Sequence, residues 1–295
     1  MQILEGHEGS VLALLFAPDG EKLVSSGKDS TIRVWDSWGE STELTAIGSP
    51  VHSLAYHSNG RLLALGSADG LLRTRDSGEN RYGPGQHLKG STITGLAFLK
   101  GDESIAVAAA EGLSALSRGQ GMHFWDWRKN SLRPLPLTNT GGGVLALADH
   151  REHRLLAWAT STNALIVWNV TKSDPVRLAL KSACRSLCFS PDGKMLAATA
   201  DWKIAIFDID RKQEFLTLVG HKGVVSTLVY SPDGRYLMSG GWDKLVKIWD
   251  AASGRELASF EWPVGRVSTL AIAPDGLRAA VAGDNGKIVI WDVDL

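Results

Sequence analysis

The stretch Gly220-His221-Lys222-Gly223-Val224-Val225-Ser226-Thr227-Leu228-Val229-Tyr230-Ser231-Pro232-Asp233-Gly234 continues through Leu237-Met238-Ser239-Gly240-Gly241-Trp242-Asp243 to Val246-Lys247-Ile248-Trp249-Asp250. It decides the architecture because the chain says it again. A near copy opens the sequence, with Gly6-His7, Phe16-Ala17-Pro18-Asp19-Gly20, Leu23-Val24-Ser25-Ser26-Gly27-Lys28-Asp29 and Val34-Trp35-Asp36, and five weaker echoes lie between and after. An internal period of about 40 to 45 residues marks a propeller or a solenoid, where each unit buries its apolar surface against its neighbours.

Each copy reads as four short strands, a to d. Strand a is apolar nearly throughout, as in Leu12-Ala13-Leu14-Leu15-Phe16 and Thr227-Leu228-Val229-Tyr230, which predicts a strand packed between neighbouring sheets. Pro-Asp-Gly follows at 18–20, 191–193, 232–234 and 274–276; proline presets φ and glycine accepts a positive φ, so strand a returns as strand b. Strand c ends at Trp35, Arg75 (a substitution), Trp125, Trp168, Phe207, Trp249 and Trp291, with separations of 40, 50, 43, 39, 42 and 42 residues. These are seven blades. Asp292-Val293-Asp294-Leu295 is too short for a last outer strand, whereas Gln2-Ile3-Leu4 precedes the first Gly-His without a partner. The N-terminal segment is therefore predicted to complete the last blade, closing the ring and removing an open edge. The expected fold is all-β: one domain over 1–295, a seven-bladed propeller of four-stranded antiparallel blades.

Of the 295 residues 44% are hydrophobic and 21% charged, with a formal net charge of −1. That balance offers no general attraction to nucleic acid or anionic membranes. The start of the chain lacks a basic region followed by an apolar one, and no run approaches a membrane span, so a cytoplasmic protein is expected. Cys184 and Cys188 fall on one predicted strand, where four residues at roughly 3.3 Å each separate their Cα atoms by about 13 Å. A disulfide needs about 4.4–6.8 Å, so two reduced thiols are expected. Neither completes a zinc-type spacing, and no cofactor or metal is predicted.

With those motifs in hand, the chain resembles the WD-repeat (WD40) family over essentially its whole length. The resemblance implies a buried relay in which a His, a Ser or Thr of strand b, an Asp of the b–c turn and the strand c Trp are hydrogen-bonded. Here it would comprise His7, Ser25, Asp29 and Trp35, and again His221, Ser239, Asp243 and Trp249. An indole donates, a hydroxyl accepts and donates, and an imidazole passes the relay to a carboxylate. These resemble a nucleophile triad on paper, but the family match makes them structural, with blades 1 and 6 the most rigid. Blade 5 is read with Leu180, Ala197, Asp201 and Phe207 at these places, and blade 7 with Pro263, Val281 and Asn285. Blades 2 to 4 depart furthest. The polar link after Asp76 (77–90) and the insertion over 111–121 are each either a partner-contacting loop or a tolerated insertion.

Catalysis in a propeller would need acids on the innermost strands. These are read as Val11 to Phe16, Val51 to Tyr56, Thr92 to Phe98, Val144 to Ala148, Arg185 to Phe189, Val224 to Tyr230 and Val267 to Ile272, with Asp149 only at an edge. Paired carboxylates, a phosphate loop and a nucleophile elbow are all missing, so no enzyme is predicted. In the resembled family, partners often lie across the b–c turns and the loops leading into strand a. The partner-binding candidates are Lys28, His52, Arg118, Arg185, Trp242 and Arg266. Trp242 is the sharpest, since tryptophan and arginine dominate interface energetics. Against this, Trp242 or Trp202 could cover a neighbouring turn, the arginines could be solvated charges, and His52 could bind water. Trp38, Trp127 and Trp262 are expected to pack on blade edges. The sequence thus predicts a non-enzymatic scaffold subunit, monomeric by itself, that binds a protein or peptide. It is not expected to engage membrane, nor nucleic acid directly; the alternatives are an adaptor in an RNP or chromatin complex, or a propeller hydrolase.

Overall fold

The period-two side-chain alternation and the recurring turns fold into antiparallel sheets alone. The computed structural model describes residues 1–36, 41–44, 48–79, 81–111, 121–135, 142–172 and 174–293, and no helix occurs among them. The described strands form seven antiparallel sheets, the blades of a seven-bladed β-propeller. In blade 6, strands Val225–Tyr230, Tyr236–Gly241, Leu245–Asp250 and Glu256–Glu261 lie side by side in the order a, b, c, d. Blade 7 takes Val267–Ile272, Arg278–Gly283 and Ile288–Asp292 as a, b and c, and its outer strand is Gln2–Leu4. The pairs are Gln2↔Ile290, Ile3↔Val289 and Leu4↔Ile288, and Leu4 is only 2% exposed. The N-terminal strand therefore completes the last blade, as its sequence position predicts. The chain divides into two compact units, residues 1–51 with 185–295, and residues 52–184. The first holds blades 5, 6, 7 and 1; the second holds blades 2, 3 and 4.

Strand a packs against the strand a of neighbouring blades, as its apolar run predicts. Strand b is buried still more completely: Leu23–Gly27 and Leu62–Ser67 are buried at every position and the b strands of blades 4 to 7 at all but end residues, while Val11–Phe16 and Val267–Ile272 keep partly open residues. Strand a is the edge of its sheet, and b is flanked by ladders on both sides. Strand a also carries a recurrent bulge, between Val225 and Thr227 in blade 6 and between Val267 and Thr269 in blade 7. The bulge re-aims the extra residue. Ser226 Oγ donates to the Val267 carbonyl at 2.6 Å and Ser268 Oγ to the Val11 carbonyl at 2.6 Å, stitching each blade to the next. Thr94 does the same from blade 3 to Val144 of blade 4 at 2.7 Å.

The Pro-Asp-Gly turns close as expected, with φ of +76°, +68°, +74° and +75° at Gly20, Gly193, Gly234 and Gly276. They also nest. A Cβ on Gly234 would lie 3.4 Å from Pro191, one on Gly276 3.4 Å from Pro232, and one on Gly20 3.8 Å from Pro274.

Three readings are corrected. Strand a of blade 5 is only Leu187–Phe189, because the Thr199 hydroxyl accepts from the Arg185 and Ser186 amides at 2.8 and 3.2 Å and ends the ladder. Cys184 therefore precedes the strand, buried, while Cys188 lies on it half-buried, and neither is disulfide-bonded. The b–c turn of blade 5 is also tighter than its alignment suggests. Ala198 pairs with Ala205 and Leu196 with Phe207, so Ala198, not Ala197, occupies the place of Ser239. The turn is then Asp201-Trp202 alone, between the Ala200↔Lys203 pair, with Asp201 at φ +54°. Finally, the link after Asp76 is no free loop: Arg81–Tyr82 and Gln86–His87 both pair with strand Leu71–Asp76. Asn130 Nδ2 of blade 3 donates to the Gly85 carbonyl at 3.2 Å, and Gln86 Nε2 donates to the Asn130 carbonyl. Residues 112–120 of the blade 3 insertion, Arg118 and Trp38 lie outside the described residues.

Candidate functional site

The two complete relay sets are hydrogen-bonded in the same way. Trp249 Nε1 donates to Ser239 Oγ at 2.8 Å, Ser239 Oγ lies 2.8 Å from His221 Nε2, and His221 Nδ1 is 3.0 Å from the Asp243 carboxylate. In blade 1 the corresponding separations are 2.8 Å from Trp35 to Ser25, 2.7 Å from Ser25 to His7 and 2.9 Å from His7 to Asp29. An ionised carboxylate only accepts, which fixes the direction: His Nδ1–H to Asp, Ser O–H to His Nε2, Trp N–H to Ser. Burial outweighs the Asp243 carboxylate and holds the His221 imidazole below its usual pKa, so the ring is neutral at neutral pH. Burial pushes the Asp29 carboxyl up, but hydrogen bonds from the Thr31 and Glu8 amides and from His7 bring it below its usual value. The serine hydroxyls are wholly buried beneath the indoles. No substrate reaches them.

Elsewhere the relay is dismantled. The place of Ser239 is taken by Leu65, Val107, Trp158 and Ala198 in blades 2 to 5. The indole of Trp168 turns instead to the Lys172 carbonyl at 2.9 Å, and that of Trp125 to Asn130 Oδ1 at 3.4 Å. In blade 7, Asn285 Nδ2 donates to the Pro263 carbonyl at 2.9 Å, a shortened relay that bypasses Val281.

Three of the partner-binding candidates converge on the rim of the first compact unit. Trp242, in the b–c turn of blade 6, is 40% exposed. The Arg185 guanidinium lies 4.9 Å from its ring centroid and that of Arg266 5.7 Å away. Both separations are within cation–π range. The backbone beneath is fixed: the Trp242 amide donates to the Val224 carbonyl at 2.8 Å, and the next residue, Val225, donates to the Asp201 carbonyl at 2.7 Å. That peptide ties the turn carrying Trp242 to the turn carrying Trp202, which is 51% exposed and has the Lys203 ammonium 5.9 Å from its ring. Arg266 Nε is paired with Asp284 at 2.8 Å. The line continues into blade 1, where Ser10 Oγ meets the Asp284 carbonyl at 3.5 Å and the exposed Lys28 donates its amide to the Ser10 carbonyl at 2.8 Å. His52 sits on strand Val51–Tyr56 with its side chain exposed. Sequence reasoning missed Trp202 as a rim residue; the tightened two-residue turn that projects it depends on a one-residue deletion visible only once strands are paired.

Trp127 and Trp262 pack inward. Trp127 donates to the Asp102 carbonyl at 2.9 Å, and Trp262 stacks 5.6 Å from Phe260.

One constellation in the second unit invites an enzymatic reading. Ser58, His57, Asp102, Asp149 and Arg151 cluster between blades 2, 3 and 4, and strand Val144–His150 carries Asp149 within it, not at its edge. The geometry is that of a clamp. Ser58 Oγ donates straight to Asp102, with no base between, and His57 Nδ1 accepts the Asn59 amide at 3.1 Å. Arg151 bridges Asp102 at 3.5 Å and Asp149 at 3.7 Å and donates to the Tyr56 carbonyl. Burial outweighs Arg151 and pushes the Asp149 carboxyl up. Among the described residues no group of three or more His, Cys, Asp or Glu could hold a metal. One cleft, of about 210 Å³, opens at the seam of blades 7 and 1 beside Gln2, Glu21, Arg278 and Asp292. It is smaller than the roughly 300–1,000 Å³ of small-molecule sites.

Comparison with known proteins agrees with this geometry. The WD40 model (WD domain, G-beta repeat) matches residues 1–36, 41–76, 178–208, 212–250 and 254–292, more than half of the chain. The chain belongs to the WD-repeat family. The matched segments of this WD-repeat chain leave out 77–177, where Val107 and Trp158 have displaced the relay serine. Among its relatives is a serine-threonine kinase receptor-associated protein of Dictyostelium discoideum, 24% identical over 251 residues that cover 83% of this chain and 81% of that protein. Guanine nucleotide-binding protein subunit beta-5b of Danio rerio is 24% identical over 295 residues, covering 83% of this chain and 74% of its own. Transcription factor unc-37 of Caenorhabditis elegans is 40% identical over 111 residues, which are 36% of this chain and 18% of that protein. WD-repeat propellers of this kind are in general non-enzymatic scaffolds that bind other proteins.

Proposed function

We propose that this WD-repeat chain is a non-enzymatic scaffold subunit in the cytoplasm that recruits a protein or peptide through the rim carrying Arg185, Trp242 and Arg266. The observation that carries the reading is Trp242 itself: 40% exposed, flanked by two guanidinium groups, on a turn pinned by backbone hydrogen bonds. Packing gives little reason to leave so large an apolar ring in water, whereas Trp and Arg are the residues that anchor protein interfaces. A rigid support lowers the ordering cost of binding. Two relatives bear names that describe one member of an assembly, a receptor-associated protein and a subunit. The test is affinity purification of the tagged chain from its native cell. Trp242→Ala with Arg266→Ala should cut the co-purifying proteins at least tenfold while thermal stability stays within about 0.5 kcal/mol of the parent, as for exposed sites. An unchanged set of proteins would reject this rim.

A further inference from the structure

Resting on that reading, we propose that what the rim receives is an acidic peptide segment, with an Asp or Glu carboxylate of the partner seated on the Arg185 guanidinium beside Trp242. The two arginines that flank the ring differ in one respect. Arg266 already spends its charge on Asp284, at 2.8 Å, and that carboxyl is held below its usual value chiefly by the Arg266 side chain. Arg185 is exposed, its guanidinium 4.9 Å from the Trp242 centroid, and among the described residues it has no carboxylate partner. Its backbone is fixed by the Thr199 hydroxyl at 2.8 Å. A guanidinium held over an indole face is restrained there without using up its N–H donors, and Arg185 is exposed, so those donors are open to an anion. That is the arrangement that binds a carboxylate bidentately.

The surroundings point the same way. Arg185 occupies the place that Ser226 holds in blade 6. There the side chain stitches to the next blade, so the hydroxyl has been replaced by a cation that serves no such bond. Lys203, Lys222 and Lys244 are exposed on the turns adjoining Trp202 and Trp242 and have no carboxylate partner among the described residues. Of the acids on these turns, Asp284 is paired with Arg266, whereas Asp243 accepts from the neutral His221 ring and the Lys222 amide and so stays negative, as does Asp201. Against these two stand Arg185, Lys203, Lys222 and Lys244, so among the described residues of these turns and the loops leading into strand a the cations exceed the acids, in a chain whose net charge is −1. Such a field favours a negatively charged segment with an apolar residue to lie against the rings.

The test is selection of phage-displayed random peptides on the intact protein, followed by synthesis of the winners and measurement of their affinity by fluorescence anisotropy. Peptides lost on Trp242→Ala should carry Asp or Glu, should weaken at least tenfold on Arg185→Gln or when their own acid becomes the amide, and should weaken steeply with salt. Arg185→Lys, which keeps charge but loses the fork, should fall between. Equal melting temperatures for the variants exclude misfolding. Trp242-dependent peptides that lack acids, or that ignore Arg185→Gln, would overturn the acidic segment and leave the rim reading standing. A selection that yields nothing dependent on Trp242 would overturn both.

Discussion

At the scale of single residues, the relay shows how burial assigns a role. Ser239 meets an imidazole at 2.8 Å and an indole at 2.8 Å, yet its hydroxyl is wholly buried, so its chemistry is spent on holding strands b and c together. Removing one member strands the others: Ser239→Ala leaves the Trp249 N–H and His221 Nε2 unpaired, at about 1–3 kcal/mol for each buried group. Blade 5 shows the cheaper route, with Ala198 and Phe207 in the two places at once. Ser239→Ala combined with Trp249→Phe is therefore expected to destabilise by less than the sum of the single changes, measured as a double-mutant cycle in denaturant. Strict additivity would show that the relay carries no coupling. The relay residues were legible in the sequence because their types and spacing recur. The Arg185–Trp242–Arg266 stack was not, since nothing in the spacing tells that side chains from three blades meet over one ring.

At the scale of strands and turns, the seam between chain ends is the feature that most depends on few residues. Gln2–Leu4 contributes three ladder pairs to strand Ile288–Asp292 and buries Leu4. Deleting residues 1–4 bares that strand's edge, a template for pairing with another molecule. Loss of Leu4 burial alone is worth about 2 kcal/mol. The shortened chain should melt several degrees lower and should associate with rising concentration, as read by light scattering. A monomer of unchanged melting temperature would mean the strand is not structural. Strand order and the Pro-Asp-Gly turns could be read from the sequence, as the turn chemistry is local. Two things could not. The strand a bulge leaves no signature beyond a small polar residue such as Ser226, and the outer strand of blade 2 is broken by Gly83-Pro84-Gly85 into two short pieces that read as a polar link.

At the scale of the molecule, repetition and departure from it divide the labour. The unit containing blades 1 and 6 keeps both complete relays and also carries the rim around Trp242. The unit of blades 2 to 4 has traded relays for apolar residues and for the Arg151 clamp. Departures of this kind were visible as mismatches to the repeat, but the sequence does not say which of them recruit a partner, because a loop insertion and a partner contact look alike before side chains are placed. The claim at the centre of this account is that the partner sits on the rim of blades 5, 6 and 7. Hydrogen–deuterium exchange on the complex purified from the native cell, compared with the free chain, tests it most directly. Protection is predicted in peptides covering 182–186, 200–204, 222–224, 241–245 and 264–267; protection confined to other segments, with these unchanged, would contradict it.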